Sequence, residues 1–173
     1  MAPVRSVSLK ARAIGLLANR EHSRSELGRK LLRLARAQAL KERQALGQAA
    51  TEDADTGPAA DLPATVNALL DWLQAQGYLN EARFIESRVN ARAPRYGNLR
   101  IQQELSQHGV APDEASRLAL KQTELARARQ VWQRKFGQIA QDAAGRAKQM
   151  RFLAGRGFST EVIRKLVQGR DED

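Results

Sequence analysis

The residues of this chain that could carry chemistry are few, and their spacing argues against catalysis. With no cysteine among 173 residues, thiol nucleophiles, thiolate zinc sites and disulfides are all excluded, which fits a reducing cytosol. The two histidines, His22 and His108, lie far apart in sequence, and neither keeps a metal-ligand spacing with a carboxylate. His22 falls in a polar loop. His108 sits beside Gly109, where a helix C-terminus favours a polar or cationic side chain. Glu52, Asp53 and Asp55 cluster in a stretch of low complexity without the ligand series of a calcium loop. Gly155-Arg-Gly157 lacks both the preceding strand and the remaining glycines of a phosphate loop. No serine elbow is present. The expectation is a binding protein rather than an enzyme, with no cofactor and no metal.

Arginine supplies what remains. The densest stretch is Arg83-Phe84-x3-Arg88-x3-Arg92-x2-Arg95-Tyr96-Gly97-x2-Arg100-Ile101. Arg88 and Arg92 stand one helical turn apart and face the same way. Arg95, Tyr96 and Gly97 lead into a helix N-terminus, which welcomes anions. Guanidinium forks suit phosphate or carboxylate, and Tyr96 could stack on a base. The plainer reading keeps Phe84 and Ile101 in the core and gives Tyr96 the task of buttressing the turn. A second basic strip runs through Arg117, Lys121, Arg127, Arg134 and Lys135, and a third through Arg146, Lys148, Arg151, Arg156, Arg164 and Lys165. Either could be a solvated face. The partner-binding candidates are Arg88, Arg92, Arg95, Tyr96, Arg100, Arg117, Lys121, Arg146, Lys148 and Arg151.

Charge distribution gives these residues a context. The net charge is +10, made of +8 over residues 1–43, −6 over residues 44–82 and +8 over residues 83–173. Two basic regions flanking an acidic one would draw a partner rich in phosphates or carboxylates.

Helices must position these side chains. Ala, Leu, Arg and Gln abound and β-branched runs are scarce, so the composition is all-α. Leu9, Ala13, Leu16 and Leu17 fall on one face of a helix from about Ser8 to Asn19. Ser23-Arg-Ser-Glu26 reads as a capping box opening a second helix to about Ala37, with Leu27, Leu31 and Leu34 on one side and Arg29, Arg33 and Arg36 on another. Residues 46–62 are small, acidic and aperiodic, with Gly57-Pro58 as a breaker, and predict a long flexible loop. A third helix follows Pro63, with Val66, Leu69, Leu70 and Leu73 inward. Further helices are expected near 80–92, 98–108, 112–136 (broken near Gln122–Arg127, with Pro112 at its first position), 143–155 and 159–168. No window approaches the roughly 20 apolar residues that span a bilayer, and the N-terminus lacks a signal peptide's apolar stretch, so a soluble, cytoplasmic protein is expected.

A repeat emerges. Leu73-x3-Gly77-Tyr78, Leu105-x3-Gly109-Val110 and Leu153-x3-Gly157-Phe158 each end a helix on Leu, turn at Gly and insert an apolar residue. Glycine accepts the left-handed conformation of a helix C-cap, and the hydrophobe packs back on the last turn. The last two copies also align beyond the turn, Arg100 with Lys148, Ala115 with Ile163 and Leu118 with Leu166. Tandem helical units predict an elongated, curved molecule.

Gly77-Tyr-Leu-Asn-Glu-Ala-Arg-Phe84, followed by Arg95-Tyr-Gly-Asn-Leu-Arg-Ile101-Gln-Gln-Glu-Leu105-x3-Gly109-Val, resembles the signature of the bacterial RecX regulators of RecA recombinase. Leu9-Lys-Ala-Arg-Ala-x-x-Leu-Leu-Ala with Ser23-Arg-Ser-Glu-Leu27-x-x-Lys30-Leu31 resembles that family's first unit, and Gly157-Phe158 with Ile163 through Leu166 its last. Only residues about 38–61 fall outside the resemblance. The acidic insertion is longer than the family's usual loop, and Asn80 stands where the family usually carries Asp. The resemblance implies three tandem three-helix repeats: 1–78 with an acidic insertion at about 38–61, 79–122, and 123–173. It also implies a regulator acting in DNA repair, recombination and the SOS response; nothing in the sequence itself demands more than a monomer. Such a regulator lies in the groove of the RecA–single-stranded DNA filament, opposes its extension and lowers its ATPase and strand exchange. Weak, sequence-blind DNA binding would accompany this. The rival reading is a direct DNA-binding protein with helix–turn–helix-like units; steep salt dependence and sequence-dependent nanomolar affinity for naked DNA would mark it.

Overall fold

A computed structural model describes residues 7–45 and 61–168. The described residues form eight helices and no strand: α1 (Leu9–Asn19), α2 (Arg24–Ala45), α3 (Leu62–Ala75), α4 (Glu81–Arg92), α5 (Asn98–Gln107), α6 (Glu114–Lys135), α7 (Ala143–Gly155) and α8 (Thr160–Gln168). The all-α expectation holds. Most of the expected acidic loop, residues 46–60, lies outside the described residues. No helix among the described residues is long and apolar enough to cross a membrane. The chain divides into two compact units, Met1–Phe84 and Ile85–Asp173.

In the first unit, Ser8 caps α1 by accepting from the Ala11 amide at 3.2 Å. Ala13, Leu27, Leu31, Val66, Leu70, Leu73 and Leu79 form its core, with Leu9, Leu16, Leu17 and Trp72 packed at the margin. The apolar stripes of α1 to α3 converge as their spacing requires, while Arg29, Arg33 and Arg36 stay exposed. On α2, Arg24 reaches α3, donating to Asp71 and Gln74, each at 2.6 Å. The expected end of α2 near Ala37 is overrun by two turns. Residues 38–45 contain neither Gly nor Pro, and Gln38 braces the extension by donating to Glu42 at 3.0 Å.

The capping box forms its serine half, with Ser23 Oγ accepting from the Glu26 amide at 3.2 Å. The Glu26 carboxylate gathers cations: Arg20 donates to it, and Lys30 lies 3.2 Å away. His22, expected in a polar loop, is instead 1% exposed, because the short α1–α2 turn folds inward against the core. Its Nδ1 lies 3.2 Å from Glu26 Oε1 without hydrogen-bond alignment.

In the second unit, Ala128, Val131 and Trp132 of α6 pack with Leu153 of α7 and with Phe158, Ile163, Leu166 and Val167 around α8. The expected break in α6 is absent, and the helix runs unbroken for 22 residues. Nothing between Glu114 and Lys135 breaks a helix; the apolar period falters at Glu124 only because a buried carboxylate takes a core position. Pro112 precedes the cap rather than opening the helix, since Asp113 is the N-cap and accepts from the Ser116 amide at 2.8 Å.

The glycine turns are as the repeat predicts at Gly77, Gly109 and Gly157, with φ of 73°, 73° and 79°. In the second and third copies the inserted residue closes a six-to-one bond: Val110 donates to the Leu105 carbonyl at 3.1 Å and Phe158 to Leu153 at 3.2 Å. The first copy is longer by one residue. There Leu79 donates to the Leu73 carbonyl and fills the core, whereas Tyr78 stays exposed and stacks on Trp72 at 5.8 Å. The equivalence of Leu118 with Leu166 fails in burial, since Leu118 is 55% exposed and Leu166 is in the core. In α6 the inward face is set by Leu120, and two residues place Leu118 about 200° around the helix.

Acid should weaken the first unit in two steps. Burial, then the Arg20 charge, holds His22 below its ordinary pKa. The unfolded chain therefore takes up that proton first, and stability present above about pH 6.5 declines as the pH falls through it. Burial works against ionisation of Glu26, but hydrogen bonds from Arg20 and Lys30 outweigh it and bring the carboxyl from 4.5 to about 2. A second loss follows as the pH falls from 4.5 towards 2. Urea midpoints measured at pH 7.5, 5.5 and 3.5 should fall stepwise, and His22→Gln should remove the first step but not the second.

Candidate partner-binding surface

The stretch expected to meet a partner is positioned by two polar side chains of α6. The loop after α4 turns at Pro94 and enters α5 at Gly97. Glu124, only 3% exposed, aims its carboxylate at two helix starts at once. Its Oε1 accepts from the amides of Asn98 at 2.9 Å and Ser159 at 3.2 Å, and its Oε2 accepts from the Ser159 hydroxyl at 3.0 Å. These are the first turns of α5 and α8, so one buried anion serves both positive helix ends.

Arg127, one turn further along, clamps the loop from beneath. Its guanidinium donates to the Tyr96 carbonyl at 2.8 Å, Ala93 at 3.3 Å and Leu120 at 3.0 Å, and also to the Asn98 side chain. Burial lowers its pKa, with the charge of Glu124 opposing that shift. The expectation that Arg127 belongs to a surface strip is thus corrected: its donors face protein carbonyls.

Backbone approach completes the crossing. Gly97 donates to the Arg156 carbonyl and Leu99 to that of Gly157, both at 3.0 Å. A Cβ at Gly97 would stand 2.2 Å from the Gly157 carbonyl oxygen, leaving no room for any other residue.

The candidate side chains divide by what holds them. Arg88 and Arg92 do project the same way from α4, towards His108 and Glu104 of α5, themselves one turn apart. Arg88 lies 3.4 Å from His108 Nε2, and Arg92 donates to Glu104 at 2.7 Å. Arg100 approaches Glu104 at 3.9 Å and rests its guanidinium 4.4 Å from the Tyr96 ring centroid, covering one face of that ring. Arg117 pairs with Glu114 at 2.8 Å. Arg146 donates to the Gln141 carbonyl at 2.7 Å and the Ala140 carbonyl at 3.3 Å, closing the turn before α7. Arg95, Lys121, Lys148 and Arg151 are exposed. Among the described residues, no group of three or more His, Asp or Glu could hold a metal ion.

Glu124 went unremarked in the sequence, although a signal was there. It falls four residues after Leu120 and four before Ala128, on the stripe that the core occupies.

This architecture defines a basic, all-helical protein built on three-helix units whose turns interlock. Residues 80–118 match the RecX second three-helix domain and residues 122–167 the RecX third three-helix domain. The curated "Regulatory protein RecX" of Herminiimonas arsenicoxydans is 47% identical over 169 residues, spanning 96% of this chain and 95% of that protein. That of Ralstonia nicotianae is 42% identical, spanning 98% and 92%, and that of Leptothrix cholodnii 43% identical, spanning 96% and 92%. The chain belongs to the RecX family of regulatory proteins.

Replacing Glu124 by Ala should cost about 3–5 kcal/mol, since it orphans buried amides and strips Arg127 of its counter-charge. Glu124→Gln keeps the size and one acceptor, and should cost roughly half as much. Urea denaturation followed by circular dichroism measures both.

Proposed function

We propose that this chain is a noncatalytic negative regulator of RecA recombinase. It seats in the groove of the RecA–single-stranded DNA filament, opposes filament extension and lowers ATPase and strand-exchange activity. The observation that carries this reading is the near-full-length kinship with proteins named Regulatory protein RecX. The excess of positive charge supports it, because a nucleoprotein filament is rich in anions. Three repeats, 1–78, 79–122 and 123–173, would give successive contacts along such a groove. The protein acts in the cytoplasm as a monomer, without cofactor or metal.

Contacts are assigned to Arg88, Arg92, Arg95, Tyr96, Arg100, Arg117, Lys121, Arg146, Lys148 and Arg151, with different tasks. Arg95, Lys121, Lys148 and Arg151 stand exposed and meet the partner directly. Arg92 and Arg100 share Glu104, so they bring less net charge and keep the Tyr96 loop in place.

Titration into a RecA ATPase assay on single-stranded DNA tests the reading. Activity should fall at less than one molecule per RecA, and full activity at that ratio would refute it. The triple reversal Arg95→Glu, Lys121→Glu and Arg151→Glu should keep the helical signal and raise the half-inhibitory concentration on the order of tenfold or more, as expected for lost charge complementarity.

A further inference from the structure

In one depression of the second unit, apolar and cationic side chains stand together with no acid among them. Pro94 and Arg95 of the loop before α5, Val131, Arg134 and Lys135 of α6, and Phe152 and Arg156 around the end of α7 line a volume of about 190 Å3. Val131 belongs to the core of that unit and Phe152 packs against it, with the Phe136 ring edge-on at 5.2 Å. The apolar part of the lining is therefore continuous with the interior and keeps its shape. Among the described residues no ion pair engages Arg95, Arg134, Lys135 or Arg156, so four positive charges add up around an apolar floor.

Two further features bear on what such a surface receives. Arg156 rests its guanidinium 4.7 Å from the Phe152 ring centroid and donates to the Arg95 carbonyl at 3.2 Å, which closes that ring face to a stacked planar group. An aliphatic side chain needs no free ring face, and the depression has room for about one. Arg134 also borders an open hollow along α6, lined by Ala126, Arg129, Gln130 and Gln133. Both glutamines are exposed. A glutamine amide donates and accepts, so the pair matches the alternating N–H and C=O groups of an extended peptide. A phosphodiester backbone only accepts, and would leave the glutamine oxygens without a partner. From Ala126 to Arg134 the helix rises roughly 12 Å, the length of about four extended residues.

We propose that the depression and the hollow beside it dock a short, extended, acidic segment of a partner protein through one aliphatic side chain. The aliphatic group enters between Pro94, Val131 and Phe152. Carboxylates on either side of it meet the forks of Arg95, Arg134 and Arg156 and the Lys135 ammonium, and the adjoining backbone runs along Gln130 and Gln133. An apolar anchor gives a protein interface its affinity, and the charges around it reject wrong partners. A surface that sensed charge alone would gain nothing from the apolar floor. The proposal goes beyond the filament reading: it needs neither recombinase nor DNA, and it shares only Arg95 with the contacts assigned there.

Synthetic peptides test it with no recombinase present. Fluorescein-labelled Asp-Glu-Leu-Asp-Glu-Gly is titrated with the full chain and followed by anisotropy. Asp-Glu-Ser-Asp-Glu-Gly, of equal charge, and Lys-Lys-Leu-Lys-Lys-Gly, of opposite charge, are run beside it. The leucine peptide should bind with a Kd below about 1 mM and about tenfold more tightly than the serine peptide, as expected for burying one aliphatic side chain. The cationic peptide should not bind. Arg134→Ala/Lys135→Ala should weaken the leucine peptide about tenfold, since two of the four cations are lost. Both positions are exposed, and circular dichroism checks that the variant stays folded. Leucine and serine peptides binding less than about threefold apart, no binding by about 1 mM, or a leucine-peptide affinity unchanged in the variant would each overturn the proposal. A variant that loses affinity for oligo(dT), titrated in parallel, while keeping the peptide would give the depression to a nucleic-acid strand instead. The filament reading is judged separately, by the ATPase assay.

Discussion

The second unit depends on one buried negative charge meeting two helix starts. A carboxylate removed from water must be compensated in full, and Glu124 is compensated by the first-turn amides of α5 and α8, the Ser159 hydroxyl and the nearby Arg127 guanidinium. Each of those partners then has its place dictated. Asn98 must start α5 and Ser159 must start α8 next to the same carboxylate oxygen, and the loop from Ala93 to Gly97 must drape over Arg127. The 3.0 Å backbone bonds between the Gly97 and Gly157 turns are the geometric result.

That constraint sorts the arginines of a strongly basic protein into those that build and those that remain available. Arg127, Arg146 and Arg83 spend their donors on carbonyls: Arg83 holds those of Gly77 and Tyr78 while also pairing with Glu21. Arg92 and Arg100 converge on the Glu104 carboxylate, and Arg92 thereby ties α4 to α5. Net charge therefore overstates the interaction surface. What stays exposed and uncommitted among the partner candidates is a smaller set, Arg95 on the loop before α5, Lys121 on α6, and Lys148 and Arg151 on α7.

Much of the fold was legible because it rests on local signals. Apolar spacing located the helices, and the Leu-x3-Gly pattern located three left-handed glycines, since only glycine adopts that backbone without strain. The same local logic failed where a distant residue decides. Nothing near His22 in sequence announces its burial, nor does Arg127 announce the carbonyls it meets some thirty residues away. The break expected in α6 near Gln122–Arg127 is absent because Glu124, polar yet on the core stripe, is buried and partnered by the starts of α5 and α8. The partner candidates were found by residue type and local spacing. Type cannot distinguish Arg95, which is exposed, from Arg92, which is held by a glutamate twelve positions on.

The unbroken α6 has a kinetic consequence. Leu120 and Glu124 lie on the same rod as Ala128, Val131 and Trp132, and the match to one three-helix domain ends at residue 118 while the next begins at 122. No linker separates the two modules, so neither can open while the other keeps its core intact. Amide hydrogens through the middle of α6 should exchange together, only in the rarest openings, as a single cooperative block. Adjacent repeats joined by a loop can melt one at a time; two modules sharing a helix behave as one.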